Sequence, residues 1–190
     1  TIIYTLSFAS FMKITLSGLP GSGKSTVGKA LAAKLKLKHL SAGDFMREMA
    51  KERGISLLEL SKIAEKDRAV DEEIDKRTVE FGKKKDNFVM DARLAWHFIP
   101  DSIKVFLTVS LDEGARRIFN DFRPEEKENS SLERVKENVE RREKSEQLRY
   151  KQYYNIDYAD SKNYAIVVDT TKLTPEEVVG IVAAFMKKRR

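Results

Sequence analysis

The stretch Gly18-Leu-Pro-Gly-Ser-Gly-Lys-Ser25 is the part of the sequence that decides the fold. It fits the spacing G-x-x-x-x-G-K-S, and it stands between an apolar run at 12–17 and a helical pattern at 27–37. Glycines let a backbone curl so that its N–H groups converge on phosphate oxygens, and the positive end of the next helix adds to the attraction. The sequence therefore predicts a phosphate-binding loop; the alternative is a glycine-rich turn that matches by chance.

Within this loop, individual side chains have distinct expected roles. Lys24 is expected to reach the β and γ phosphates of a nucleotide, and the hydroxyl of Ser25 is expected to hold Mg²⁺. The residues expected to bind the phosphates are Gly18, Gly21, Ser22, Gly23, Lys24, Ser25 and Thr26.

A carboxylate for the metal side of the loop is expected at the end of another strand. Asp91 directly follows the apolar run at 88–90, and Arg93 stands two residues further on. Mg²⁺ keeps several of its waters, so Asp91 can act through a water as well as by direct contact. The alternative is an ordinary aspartate in the turn after a strand.

Strand and helix patterns alternate along the chain. Apolar or β-branched runs occur at 12–17, 38–40, 88–90, 103–109 and 164–168, with helical patterns between them. This alternation predicts an α/β fold with a doubly wound, five-stranded parallel sheet, flanking helices and a ligand site at the carboxyl ends of the strands. Four capping boxes mark helix starts: Ser56/Glu59, Ser110/Glu113, Ser130/Glu133 and Thr174/Glu177.

Two segments depart from this alternation. Residues 43–85 show helical patterns without a strand, which predicts a helical insert, and residues 121–131 are polar and lack apolar anchors. We interpret the first as a substrate-holding flap and the second as a lid on a single domain spanning 12–190.

The helix pattern after Ser130 changes character along one face. Its apolar stripe continues at the same spacing as Arg142, Glu146 and Arg149, so the inward side becomes charged. We expect this face to overhang the cleft and to offer two guanidinium groups and one carboxylate to a phosphorylated, hydroxyl-bearing ligand. The alternative is a solvated helix end with an Arg142–Glu146 pair.

Composition excludes several classes of protein. The chain has 190 residues, no cysteine and a net charge of +6, of which the last four residues supply four, so nucleic-acid binding is not expected. Residues 1–11 are apolar but lack a basic start and are too short to span a bilayer. We interpret them as an extension before a natural start at Met12, with an extra strand or an oligomer contact as alternatives. We expect a cytoplasmic monomer that binds small molecules and no membrane.

The sequence offers no candidate base for activating an alcohol. His39 and His97 lie in apolar surroundings that favour packed core histidines, and no N-K-x-D motif for reading guanine occurs. A phosphate monoester needs no such base, because it is largely dianionic at pH 7. The pattern therefore favours transfer of a phosphoryl group to another phosphate.

Taken together, the motifs resemble those of the cytidylate kinases, closest to the short archaeal-type members. The resemblance covers 12–187 and rests on GLPGSGKST (18–26), SAGDFMR (41–47), VMDAR (89–93), FIPD (98–101) followed by IKVFL (103–107), R-x-x-x-E-x-x-R (142–149) and RYKQYYNID (149–157). It implies a nucleoside monophosphate kinase with a P-loop kinase fold, a monophosphate-binding insert and a short lid. It also implies phosphorylation of CMP or dCMP by ATP with Mg²⁺.

The resemblance also implies residue roles. Lys24, Arg93, Arg142 and Arg149 are implied to act on the transferring phosphates, and Arg47, Arg93, Arg142 and Glu146 to bind the substrate. Leu94 departs from the bacterial pattern, which has a second Asp used on cytosine, so we take Arg77 in the insert as a candidate for part of the base-reading set. The alternative for Arg77 is a solvated charge on a helix. Two other functions stay open: another small-molecule P-loop kinase, such as an adenylate kinase, or an ATP-dependent switch module.

Overall fold

We analysed a computed structural model that describes residues 12–121 and 130–188. The expected extension at 1–11 and all but the ends of the expected lid at 121–131 lie outside the described residues.

Five parallel strands form the central sheet. They are β1 (Lys13–Gly18), β2 (Lys38–Ser41), β3 (Phe88–Asp91), β4 (Ile103–Thr108) and β5 (Ile166–Asp169), in the spatial order β2-β3-β1-β4-β5. Each of the five predicted strands is present, with ends shifted by one or two residues. The order reverses beside β1, so the loop that follows β1 opens at the switch point of the sheet.

Helices cover both faces of the sheet. Val105 and Leu107 of β4 pack in one apolar cluster with α1 and α8, while Phe106 faces Tyr150 and Tyr158 in another. This alternation along one strand is what a sheet buried on both faces requires. The described helices are α1 (Lys24–Leu35), α2 (Ala42–Glu52), α3 (Leu57–Lys66), α4 (Ala69–Lys84), α5 (Ala95–Phe98), α6 (Leu111–Asn120), α7 (Leu132–Tyr154) and α8 (Pro175–Lys187).

The stretch 43–85 is helical, as the sequence predicted. It forms α2, α3 and α4 between β2 and β3 and has its own small apolar cluster of Ala50, Leu60, Ala64 and Val70. Its movement as a flap stays a prediction.

Two of the four predicted capping boxes form completely, one forms in part and one is wrong. Ser56 with Glu59, and Thr174 with Glu177, form complete capping boxes at α3 and α8. The predicted box at Ser130/Glu133 is wrong, because α7 begins one residue later and the side chain of Ser131 accepts the hydrogen bond from the backbone N–H of Arg134. At α6 the predicted box forms in part: the Ser110 hydroxyl accepts from the backbone N–H of Glu113, but the backbone N–H of Ser110 donates to the Thr171 hydroxyl instead of to Glu113.

Gly18 ends β1 in a backbone conformation that favours glycine. Its φ is +150°, and a β-carbon at this position would lie 2.2 Å from the carbonyl oxygen of Leu107 in the neighbouring strand. The absence of a side chain therefore lets the chain leave β1 tightly against β4 and enter the phosphate-loop sequence.

Within 12–121 and 130–188, no helix has both the length and the apolar character that crossing a membrane requires.

Two glycine substitutions should have opposite effects on stability. Gly18→Ala should lower the free energy of unfolding by about 2 kcal/mol or more, because the new β-carbon meets backbone that cannot easily move. Gly180→Ala in α8 should raise it by about 0.5–1 kcal/mol, because no described atom lies within 4 Å of the new β-carbon and alanine is the better helix former. Urea unfolding measures both; equal effects would contradict this account.

Candidate active site

A cavity of about 560 Å³ opens at the carboxyl ends of the strands. The segments after β1, β2, β3 and β5 all line it, together with the insert and α7. Predicted site residues that line it are Gly21, Ser22, Gly23, Lys24, Ser25, Thr26, Arg47, Asp91, Arg93, Arg142, Glu146 and Arg149. Among the described residues, Gly18 and Arg77 are predicted members that do not line it.

Lys24 is the first residue of α1, directly after the phosphate-loop glycines, and is half-buried. Its Nζ donates to the carbonyl oxygens of Gly18 and Leu19, at 2.9 Å each. Burial, together with the nearby positive charge of Arg93, lowers the pKa of Lys24 to about 7. A bound anion at this position would offset both the desolvation of the ammonium and its repulsion by the guanidinium groups.

The loop is held closely against α6. Gly21 has a φ of +73°, and a β-carbon on it would lie 2.3 Å from the carbonyl oxygen of Gly114. Beside this contact, Arg117 of α6 pairs with Glu113 at 2.8 Å and donates to the carbonyl oxygen of Thr170 at 2.7 Å. The loop and the start of α6 are therefore packed backbone to backbone.

Ser25 and Asp91 meet as the sequence predicted for a metal site. The Ser25 hydroxyl donates to Oδ2 of Asp91 at 2.5 Å, and the Ser41 hydroxyl donates to the same oxygen at 3.4 Å. The described residues contain no group of three or more His, Cys, Asp or Glu that could hold an ion. A hydroxyl and one carboxylate at a phosphate loop still fit Mg²⁺, which takes one or two protein ligands and completes its shell with water and phosphate oxygens.

Arg93 and Glu146 form an ion pair across the cavity. Nε of Arg93 donates to Oε2 of Glu146 at 2.6 Å, and the two side chains are 14% and 12% exposed. Arg93 and Arg142 lower the pKa of the Glu146 carboxyl, although burial opposes them. The Arg142–Glu146 alternative for a solvated helix end does not describe this arrangement, since the carboxylate faces Arg93 inside the cavity.

Arg149 is buried and ties α7 to the insert. Its Nε donates to Oδ2 of Asp71 in α4 at 2.9 Å, and its Nη1 donates to the Ser145 hydroxyl at 2.7 Å and to the Ser61 carbonyl oxygen of α3 at 3.4 Å. The side chains of Arg149 and Asp71 are 2% and 6% exposed. Arg149 thus joins three helices, and its role on the transferring phosphates stays a prediction.

The two arginines expected in the insert lie in different places. Arg47 lines the cavity and pairs with Asp44 at 2.5 Å. Arg77 pairs with Glu73 at 2.6 Å, its guanidinium lies 5.3 Å from the centre of the Phe45 ring, and its side chain is 48% exposed. The structure therefore places Arg77 on the outer side of α4, away from the described lining of the cavity.

Sequence reasoning missed the inner face of α4. Asp71, Ile74, Asp75 and Thr78 line the cavity, at the i, i+3, i+4, i+7 spacing of one helix face. This spacing was the available signal, and residue 77 does not belong to it. Arg117 was also missed, although Gly114, Arg117 and Ile118 share the face of α6 nearest the loop.

Asp75 is a half-buried acid with one tight partner. The Tyr154 hydroxyl at the end of α7 donates to Oδ2 of Asp75. Burial is the main cause that raises the pKa of Asp75 to about 7, and the neighbouring carboxylate of Asp71 adds to it. The chain therefore keeps a carboxyl group whose ionised form is unfavourable in the folded state.

Comparison with known proteins gives a consistent result. Residues 13–172 match the cytidylate kinase-like family. A cytidylate kinase from Methanocaldococcus jannaschii is 42% identical over 178 residues, covering 91% of this chain and 96% of that protein. A cytidylate kinase from Methanobrevibacter smithii is 36% identical over 176 residues, covering 93% and 99%.

Solved structures support the fold alone. Shikimate kinase from Acinetobacter baumannii has a TM-score of 0.59 at 16% identity and covers 96% of this chain and 97% of its own. An uncharacterized protein from Eubacterium ventriosum has a TM-score of 0.68 at 19% identity, covering 93% and 98%. With the observed sheet, these similarities confirm the predicted P-loop kinase fold.

Asp75 should make the unliganded protein less stable as pH rises. Its pKa in the folded protein is raised from 3.8 to about 7, so between these two pH values the folded state binds more protons than the unfolded state. The free energy of unfolding therefore falls as the pH rises through this range. Asp75→Asn should therefore reduce the loss of unfolding free energy between pH 5 and pH 8 by on the order of 2 kcal/mol, after allowance for partial exposure.

Urea unfolding at the two pH values measures this difference. Glu80→Gln, which neutralises an exposed acid on the same helix, is the control and should leave the wild-type pH dependence in place. An unchanged pH dependence in Asp75→Asn would contradict the raised pKa.

Proposed function

The chain belongs to the cytidylate kinase-like family, and from that premise we propose that its cavity transfers the γ-phosphoryl group of ATP to CMP, and also to dCMP. The products are ADP and CDP or dCDP. The observation that carries the proposal is one cavity lined both by a phosphate loop with a half-buried lysine and by a separate set of arginines. A site that only hydrolysed ATP would have no second phosphate for those arginines to hold.

The donor occupies the loop end of the cavity. The backbone from Gly21 to Thr26 surrounds the phosphates of ATP, and the ammonium of Lys24 turns from the loop carbonyls to the transferring group. Ser25 and Asp91 would hold Mg²⁺, which supplies positive charge to the phosphate oxygens when bound.

The acceptor occupies the side of the cavity formed by the insert and α7. Arg47, Arg93, Arg142 and Arg149 are the cations available to its phosphate, and Glu146 is available to a sugar hydroxyl. The acceptor phosphate is largely dianionic at pH 7, so the protein has to align and neutralise rather than remove a proton. In agreement with this, neither histidine is among the described lining residues.

Exclusion of water requires the cavity to close around both nucleotides. We propose that the insert at 43–85 swings toward the core on binding and that 121–131 acts as the lid. That the chain works as a monomer on small molecules also stays a prediction.

A panel of acceptors tests the reaction. With ATP and Mg²⁺, ADP formation should depend strictly on a monophosphate; CMP and dCMP should give specificity constants well above UMP, and AMP and GMP should be poorer still. Lys24→Ala should lower kcat/KM for CMP by roughly 10²–10³-fold, because it removes charge from the transferring phosphate, whereas Lys34→Ala, on the exposed side of α1, should not. ADP formation without any monophosphate would support the switch module instead, and comparable constants for AMP and CMP would support a different nucleotide kinase.

Nucleotide binding should be accompanied by proton uptake at Lys24. At pH 8 most Lys24 in the unliganded protein is neutral, because its pKa is about 7, and a bound phosphate raises this pKa again. Calorimetry of ADP binding in two buffers of different ionisation enthalpy gives the number of protons. Lys24→Met should take up nearly one proton fewer than wild type, and Lys34→Met should match wild type; equal numbers for all three would contradict the lowered pKa.

A further inference from the structure

We infer that Asp75 reads the 4-amino group of the cytosine ring and is the residue that separates CMP from UMP. The inference rests on the proposed function and adds to it a specificity-determining side chain. The position of Asp75 along the cavity, its hydrogen bonding and the chemistry of the two pyrimidines carry it.

Successive side chains of α7 mark positions along the cavity, from the phosphate loop to the insert. Arg142 and Glu146 lie near the loop, where both affect the pKa of Lys24, and Glu146 pairs with Arg93. Further along α7, Arg149 meets Asp71 and Tyr154 meets Asp75. At about 1.5 Å per residue, Tyr154 lies about 12 Å beyond Glu146 along the helix axis. A nucleotide with its phosphate among the arginines would have its base in the region of Asp75.

The side chains around Asp75 suit a flat ring. Ile74, Ala95 and Phe98 line the cavity with it. The Phe98 ring packs edge-on against the ring of Tyr154, with centroids 5.7 Å apart. Tyr154 therefore holds both the Phe98 ring and the Asp75 carboxyl group in place. Apolar walls with a few polar groups are the usual composition of a ligand pocket.

Among the described residues, Asp75 is the acid on this face without an ion pair, whereas Asp71 pairs with Arg149. The carboxylate of Asp71 is engaged by Arg149, and the Thr78 hydroxyl donates to the carbonyl oxygen of Ile74. Oδ2 of Asp75 accepts from Tyr154, and among the described residues no hydrogen bond reaches Oδ1. Leu94, which packs in the apolar cluster with Phe98 and Tyr154, brings no polar group to the cavity.

The two pyrimidines differ at the position that such an acid can test. Cytosine presents an amino donor at position 4, and acidic side chains accept hydrogen bonds from it. Uracil presents an oxygen there, so an ionised carboxylate would face a second acceptor. A protonated carboxyl can donate to that oxygen, so the ionised form makes the discrimination, and the amino donor of cytosine favours this form when it binds.

Exchange of the acid for its amide tests the assignment. Asp75→Asn keeps the shape and adds a donor that suits uracil. We expect the ratio of kcat/KM for CMP to that for UMP to fall by roughly 10- to 100-fold, with the KM for ATP unchanged. Glu80→Gln, an exposed acid of α4 outside the described lining, is the matched control and should keep the wild-type ratio.

A second variant covers the case in which the amide disturbs folding. Asp75→Ala removes the acceptor without adding a donor and should lower kcat/KM for CMP while leaving that for UMP nearly unchanged. A wild-type CMP-to-UMP ratio in either folded variant would overturn the role of Asp75 while leaving cytidylate kinase activity established. Absence of CMP phosphorylation by the wild-type protein would instead overturn the proposed function.

Discussion

Compensation of buried positive charge is the constraint on which the site depends. Lys24, Arg93 and Arg142 lie close enough that the last two disfavour the charge on the first. Water does not screen these groups well, so carboxylates must approach them, and Glu146 and Asp91 do so from two different elements. The positive charge that remains can attract phosphates, and the nearby carboxylates reduce the cost of that charge to the stability of the fold.

That compensation fixes the position of α7 over the sheet. Glu146 must reach Arg93 after β3, and one and two turns later Arg149 and Tyr154 must reach α4. Tyr150 from the same helix packs on Tyr158 with centroids 5.6 Å apart. A single helix therefore connects the strand ends, the insert and the aromatic cluster, and its charged face serves the cavity while its apolar positions serve the core.

Local patterns predicted the strands, the phosphate loop and the helical insert, because each depends on neighbouring residues. The start of α7 was missed by one residue because Ser130 and Ser131 are both competent caps and only the position of the first turn decides between them. The pairing of Arg149 with Asp71 joins residues 78 apart, and no local spacing shows it. Arg77 was chosen for its charge, whereas the helix face that carries Asp75 determines which side chains reach the cavity.

The contact between Gly21 and Gly114 has a consequence for how this sequence can change over time. A β-carbon on Gly21 would lie 2.3 Å from the carbonyl oxygen of Gly114, and one on Gly114 would lie 2.9 Å from the carbonyl oxygen of Pro20, so the packing of the loop on α6 leaves no room for a side chain at either position. A larger residue at one is not rescued by a smaller one at the other, since both already lack a side chain. A larger residue would require the loop and α6 to move apart, and a displacement of α6 would pull Arg117 away from Thr170. Replacement of either glycine should therefore be costly, and related proteins that keep this packing should keep both glycines.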